Sequence, residues 1–332
     1  MPTKSQCLLL CDASRDLVAQ IRATGPVILS TSPPISLIRP TVSGGSFLET
    51  MFNQNQVTAI LEAIRAFAAL SYSYDPSSIT QSEVKDTLVH AQLALHLVKP
   101  TRWFGKYWLL MDDTGQIESS SKDLGFVHID HPGPYLSYQQ HHTITLEDIE
   151  SVKRCLPRLL HAFSPSSVAG SWSHPCGPIH RALVMFAEGY LTEMFGELRQ
   201  FLWAMGLDCL FSSRADRRKR GSQAIDHRLR MLFGAEFEPY KAVVIPGHQT
   251  RPVLKVCHIA KDIFTLRNAC AHGLMIPDAW LTPQGRQLYE GYAYQLSECT
   301  EILLRQTLLL ILNDQSMFEI FVDSRKLDKY FG

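Results

Sequence analysis

Residues 256–273 read VCHIAKDIFTLRNACAHG, and their spacing predicts a helix with one residue out of pattern. At about 100° per residue, the apolar side chains fall on one face of this helix and most polar side chains on the other. Arg267 is the exception, because it lies about 20° from Val256, near the centre of the apolar face. A guanidinium there is costly unless it is paired with an acid or opens onto a polar cavity. The stretch therefore predicts a helical protein with a structural or functional site around Arg267.

His272 follows Arg267 by five residues, or about 140° round a straight helix, so the two side chains would diverge. Gly273 predicts a helix end in the left-handed conformation, which would put His272 in the last turn or just beyond it. Two interpretations stay open for each residue. His272 is either a proton-transfer group or a helix cap, and Arg267 makes either a catalytic contact or a structural ion pair.

The organisation of the chain predicts an α+β N-terminal module followed by an all-α helical bundle. Short apolar runs broken by Pro, Gly and Ser indicate strands, and longer periodic runs indicate helices. The domain prediction is a module of unknown role over 1–140, a bundle over 141–315 and a C-terminal tail over 316–332. Strands are predicted at 7–11, 25–32, 35–42, 106–113 and 125–131, and helices at 56–72, 82–98, 146–163, 180–211, 222–233, 253–272 and 285–313.

Two of these helices carry further signals. Thr145 followed three residues later by Asp148 resembles a capping box at the start of 146–163. The helix over 180–211 is apolar nearly all round, which predicts a place in the middle of the bundle.

The composition predicts a soluble globular protein, with 332 residues, 45% hydrophobic and 19% charged, and a formal net charge of zero. A zero net charge gives no global argument for a nucleic-acid or membrane partner. The eight cysteines are dispersed, as expected for reduced thiols in a cytoplasmic protein and not for a disulfide framework. No apolar run is long enough for a membrane span, so no membrane partner is expected.

The hexapeptide Arg267-Asn268-Ala269-Cys270-Ala271-His272 resembles the Arg-x4-His signature of the HEPN superfamily. The order of the segments resembles the Apea-like HEPN branch over most of 143–313. Asp208 stands where that branch usually has Glu, and Phe264 where Tyr is common. The segments that carry the resemblance are ITLEDIESV (144–152), WAMGLDCLFSS (203–213), HRLRMLFG (227–234) and IFTLRNACAHG (263–273).

This resemblance implies a HEPN-like bundle that commonly dimerises and cleaves RNA as a metal-independent endoribonuclease, with no cofactor. Arg267 would hold the scissile phosphate, His272 would transfer the proton, and Asn268 would orient His272 or hydrogen-bond a phosphate oxygen. A homodimer would bring two motifs into one composite site. Related proteins serve as toxins or in antiviral defence, which implies an antitoxin or regulatory partner. The alternative is a non-catalytic HEPN module that binds RNA or protein.

Acidic and basic residues elsewhere complete the predicted site. Asp208 is the first candidate partner for Arg267, with Glu188 and Glu193 as alternatives. The run RADRRKR at 214–220 is either an RNA-binding patch that follows the phosphates or a solvated loop. His174, Cys176 and His180 match no metal-site spacing, so no metal is expected. The basic residues of the run are Arg214, Arg217, Arg218, Lys219 and Arg220.

Overall fold

The chain divides into two compact units, Met1–Phe163 and Ser164–Gly332. The first unit mixes strands and helices and the second is helical, which confirms the predicted order of an α+β part followed by a helical part. None of the helices among the described residues is long and apolar enough to cross a membrane. The structure is a computed structural model that describes residues 5–11, 15–38, 68–99, 103–111, 117–121, 144–164, 176–191, 196–213, 221–239, 254–274 and 285–332.

A six-stranded antiparallel sheet organises the first unit, with the strand order β2-β3-β4-β1-β5-β6. Strand β4 lies inside the sheet, and all its side chains except Ser73 are buried, so both of its faces are covered. The strands are β1 (Ser5–Cys11), β2 (Val27–Thr31), β3 (Pro34–Ile38), β4 (Ala68–Tyr74), β5 (Trp103–Met111) and β6 (Ile117–Ser121).

The described part of this unit also contains the helices α1 (Arg15–Thr24), α2 (Gln81–Val98) and α3 (Leu146–Phe163). Helix α3 begins as predicted, because the Asp148 carboxylate accepts hydrogen bonds from the Thr145 amide and hydroxyl, both at 2.8 Å. Its buried stripe includes Ile149, Val152, Leu156 and Leu159.

Helix α3 belongs to the first unit, although it was predicted to belong to the bundle that follows. It packs on α2 and β2, and the rings of His90 and Phe163 stack at 4.1 Å. The apolar stripe in the sequence predicts the helix, but it does not predict which elements pack against it.

The secondary structure of the first unit differs in places from the prediction. Residues 68–72 were predicted to be helical but belong to β4, where pairing with β1 and β3 satisfies their backbone groups. Strand β6 was missed because its sequence, IESSS, is polar; it lies at the edge of the sheet. The strand predicted at 125–131 lies outside the described residues.

The second unit is built around α5, which packs against α4, α6, α7 and α8. Its core includes Phe186, Trp203, Leu207 and Ile263. The helices are α4 (Gly177–Leu191), α5 (Gly196–Phe211), α6 (Gly221–Phe233), α7 (Val256–His272), α8 (Gly285–Asn313), α9 (Gln315–Val322) and α10 (Ser324–Phe331).

The single helix predicted over 180–211 is instead two helices, α4 and α5, packed side by side. The Trp203 indole donates to the Phe186 carbonyl at 3.2 Å, and Arg199 Nε donates to the Gly189 carbonyl at 3.0 Å. In one straight helix residues 189 and 199 would be about 15 Å apart. The close approach requires a glycine, because a Cβ at Gly189 would lie 2.2 Å from Trp203 Nε1.

Residues 316–332, predicted as a tail, form most of α9 and α10. Asp314 and Asp323 cap the N-termini of these helices. Buried aromatic rings pack these helices against the bundle. The ring centres of Phe321 and Phe331 lie 5.6 and 6.1 Å from the ring centre of Phe211. The tail was expected because these helices are short, but their aromatic residues supply the buried area that holds them.

Candidate functional site

Helix α7 ends at Gly273, as the sequence predicts. Gly273 adopts the left-handed conformation, with φ 57° and ψ 30°, and its N–H donates to the Ala269 carbonyl. The Leu274 N–H donates to the same carbonyl at 3.0 Å, which satisfies one of the last helical acceptors. His272 is therefore the last residue of the helix, and its side chain is exposed.

The Arg267 guanidinium, which was predicted to need a partner, contacts an acid, an amide and an aromatic ring. Nη2 donates to Asp208 Oδ2 at 3.4 Å, and Nη1 donates to Asn268 Oδ1 at 2.9 Å. The guanidinium carbon lies 5.6 Å from the centre of the Phe264 ring. These contacts explain how an arginine is accommodated on the apolar face of α7.

The ion pair of Arg267 with Asp208 is partly exposed to solvent. The Arg267 side chain is 22% exposed and that of Asp208 is 28% exposed, and the contact between them is long for a hydrogen bond. Buried Nε has no hydrogen-bond partner among the described residues. A guanidinium has five N–H donors, and the contacts with Asp208 and Asn268 use one on each Nη group, so the Nη groups keep donor capacity for an anion.

Asp208 is itself held by the end of α5. The Ser212 hydroxyl donates to Asp208 Oδ1 at 2.5 Å, and the Ser212 amide donates to the Asp208 carbonyl at 2.9 Å. Helix α5 is tied to α7 by the Gln200 side-chain amide, which donates to the Ile263 carbonyl at 3.5 Å. The contact of Ser212 was missed in the sequence, although its spacing of four residues from Asp208 is the signal that indicates it.

The Cys209 thiol, next to Asp208, is poorly suited to act as a nucleophile. Burial raises its pKa, and the Asp208 carboxylate adds to this, although a hydrogen bond from Arg181 and its charge oppose the shift. A raised pKa leaves little thiolate near neutral pH. Arg267 and His272 remain the candidate residues of this region.

His272 and Arg267 do not converge within one chain. The helix continues regularly through His272, which leaves the two side chains about 140° apart and about 7.5 Å apart along the axis. Arg267 faces α5, whereas His272 faces solvent. Within one chain the two side chains therefore do not point towards a common atom.

The remaining predicted residues have mixed positions. Asn268 is exposed and contacts Arg267. Glu188 is exposed on α4, and the acid that pairs with Arg267 is Asp208. Glu193, His174 and the basic run 214–220 lie outside the described residues.

No group of three or more His, Cys, Asp or Glu side chains that could hold a metal ion occurs among the residues the structure describes. Comparison of the chain with protein-family models, with curated proteins and with solved structures gives no match.

Proposed function

We propose that this chain is a metal-independent endoribonuclease of HEPN type that works as a homodimer. The observation that carries the proposal is the state of Arg267, which is held half-buried by Asp208 and Asn268 with donor capacity left over. His272 is exposed at the end of the same helix. An anion-binding group and a proton-transfer group thus lie on one helix, in the order of the HEPN signature.

The reaction assigns each group a task. The ribose 2′-oxygen attacks phosphorus while one His272 removes the 2′-hydroxyl proton. The bond between phosphorus and the 5′-oxygen breaks, and the His272 of the second copy donates a proton to that oxygen. The products are a 2′,3′-cyclic phosphate and a 5′-hydroxyl end. Arg267 neutralises the charge that develops on the phosphorane.

The homodimer follows from the divergence of the two side chains. One chain offers a single histidine in the motif, whereas the reaction uses a base and an acid. Two copies of α7 that meet at their C-terminal ends would supply both histidines and two arginines. Asp208 and Asn268 would fix the plane of each guanidinium, and no cofactor is required.

The partners proposed for this chain rest only on its resemblance to HEPN proteins. The basic run 214–220 would bind RNA phosphates outside the scissile position. The toxin or defence role, and an antitoxin or regulatory partner, would follow from the same resemblance to HEPN proteins.

A mixing experiment tests the composite site. His272→Ala chains are added to wild-type chains at constant total concentration, the dimers are allowed to exchange, and RNA cleavage is measured in EDTA. If both histidines are needed, the rate falls as the square of the wild-type fraction. A linear fall would mean that one chain suffices and would overturn the composite site. His258→Ala, which removes another exposed histidine of α7, is the matched control and should leave the rate unchanged.

A second candidate is a non-catalytic HEPN module that binds RNA or protein. The Arg267–Asp208 ion pair favours it, because a half-buried arginine paired with an acid also serves a purely structural purpose. In this case RNA or protein would be bound and no RNA would be cut, Arg267 would be a structural member of the ion pair, and His272 would be a helix cap.

A further inference from the structure

We infer that Arg228 is a positioning residue through which the C-terminal helix α10 holds the Asp208–Arg267 pair. The effect of this coupling on RNA rests on the proposed function, whereas the coupling itself stands on the contacts of Arg228. These contacts join the end of α5 to α10, and Asp208 lies in the last turn of α5.

Arg228 is a buried charge, with only 6% of the residue exposed. Its Nη1 donates to the Phe211 carbonyl, and its Nη2 donates to Asp328 Oδ1 at 2.9 Å. The guanidinium carbon lies 5.8 Å from the centre of the Phe331 ring. One side chain on α6 therefore binds both the end of α5 and the end of α10.

The contact with Phe211 matters because Phe211 is the last residue of α5. The last four carbonyls of a helix accept no hydrogen bond within the helix, and a cation placed there also interacts favourably with the helix dipole. Arg228 supplies both the hydrogen-bond donor and the positive charge. The turn it fixes is the one in which Ser212 holds the Asp208 carboxylate.

Helix α10 completes the arrangement from the other side. His227 Nε2 lies 3.2 Å from the Phe331 carbonyl oxygen, and the Phe331 ring contacts that of Phe211 edge to face. Asp328 gives the Arg228 charge its anionic partner. If Asp328 is removed, the buried guanidinium loses this anionic partner, so both its position and the end of α5 become less restrained.

The test measures amide hydrogen exchange by mass spectrometry on the full chain with four sequences: wild type, Asp328→Ala, Asp328→Glu and Lys329→Ala. Asp328 is 34% exposed on its side chain, so Asp328→Ala should fold, which urea unfolding would check. Lys329 is exposed on the same helix and serves as the matched control. Asp328→Glu keeps the carboxylate and should rescue.

The expected result is exchange about tenfold faster in Asp328→Ala at the end of α5 and in the last turns of α7, the scale of one lost charge-assisted hydrogen bond. Exchange in the middle of α8 should not change, and both control variants should match wild type. Faster exchange confined to α10 would overturn the inference, because α10 would then dock without restraining α5.

A second readout connects the coupling to RNA. With an active wild type, Asp328→Ala should lower kcat several-fold and leave KM nearly unchanged, since Arg267 would lose position but not charge. A fall in kcat without a change in exchange would also contradict the inference. An inactive wild type would refute the proposed function, while the exchange data would still decide the coupling.

Discussion

Nη2 of Arg267 lies 3.4 Å from Oδ2 of Asp208, and this contact connects the helix that carries the Arg-x4-His motif to the central helix of its unit. The pair is partly open to solvent on both sides. The coupling free energy of this pair is expected to differ between a structural role and a catalytic role for Arg267.

A double-mutant cycle on this pair separates the two roles. We expect Arg267→Ala and Asp208→Ala to show a coupling of about 0.5–1 kcal/mol in urea unfolding, because solvent screens a partly exposed pair. A coupling of about 3 kcal/mol or more would indicate a sealed structural ion pair and would favour the non-catalytic module. The pair Arg230–Asp226, four residues apart on α6, is the control, with an expected coupling of about 0.3–0.5 kcal/mol.

The helix end at Gly273 gives a second prediction. No atom of the described residues lies within 4 Å of a Cβ built on Gly273, so the expected effect of Gly273→Ala is the strain of a left-handed backbone. We expect a loss of about 1–2 kcal/mol in the free energy of unfolding, and a smaller loss for Gly273→Asn, because asparagine tolerates this conformation better. Equal stability of the alanine variant and wild type would show that the helix end relaxes without the left-handed residue.

The packing of α4 on α5 gives a third prediction, centred on Gly189. Gly189→Ala would place a methyl group 2.2 Å from Trp203 Nε1 and displace the indole from the Phe186 carbonyl. We expect a loss of about 1–3 kcal/mol, measured by urea unfolding, together with a changed near-ultraviolet circular dichroism signal. In a Trp203→Phe background, Gly189→Ala should lower the free energy of unfolding by less than it does in wild type. Strict additivity of the two substitutions would contradict this close contact.

Stability should fall at alkaline pH because of Tyr190. Burial, together with the Glu301 carboxylate, which accepts a hydrogen bond from the Tyr190 hydroxyl at 2.7 Å, raises the pKa of Tyr190 well above 10.0. The folded state thus favours the neutral phenol, so this stability is present below about pH 10 and is lost as the pH rises further. Urea unfolding from about pH 8 to 11 should show a shallower decline for Tyr190→Phe than for wild type. Tyr330→Phe, at an exposed tyrosine, should follow wild type; equal slopes for all three would refute this assignment.

Helix positions were largely predictable where the apolar spacing is regular. The spacing gave α6, α7 and α8 nearly to their ends, and Gly273 gave the end of α7. It failed where tertiary contacts decide. Residues 68–72 are strand because β1 and β3 pair with them, and α4 is separate from α5 because Gly189 lets Trp203 approach.

The site was partly predictable for a similar reason. Arg267 was conspicuous because a charge on an apolar face needs a partner, and Asp208 was the first candidate for it. Arg228 was not conspicuous, because its partners are the Phe211 carbonyl and Asp328, and no local sequence pattern connects residues about a hundred positions apart. Long-range pairing of this kind becomes visible only in three dimensions.

The most direct test of the central claim is cleavage of a mixed RNA pool in EDTA by wild type and by His272→Ala, with circular dichroism confirming that both are folded. Cleavage by wild type alone, leaving 2′,3′-cyclic phosphate ends, is the predicted result. His258→Ala, on the same helix, should cleave like wild type. Equal cleavage by wild type and His272→Ala, or RNA binding without cleavage by wild type, would contradict the claim that His272 transfers the proton.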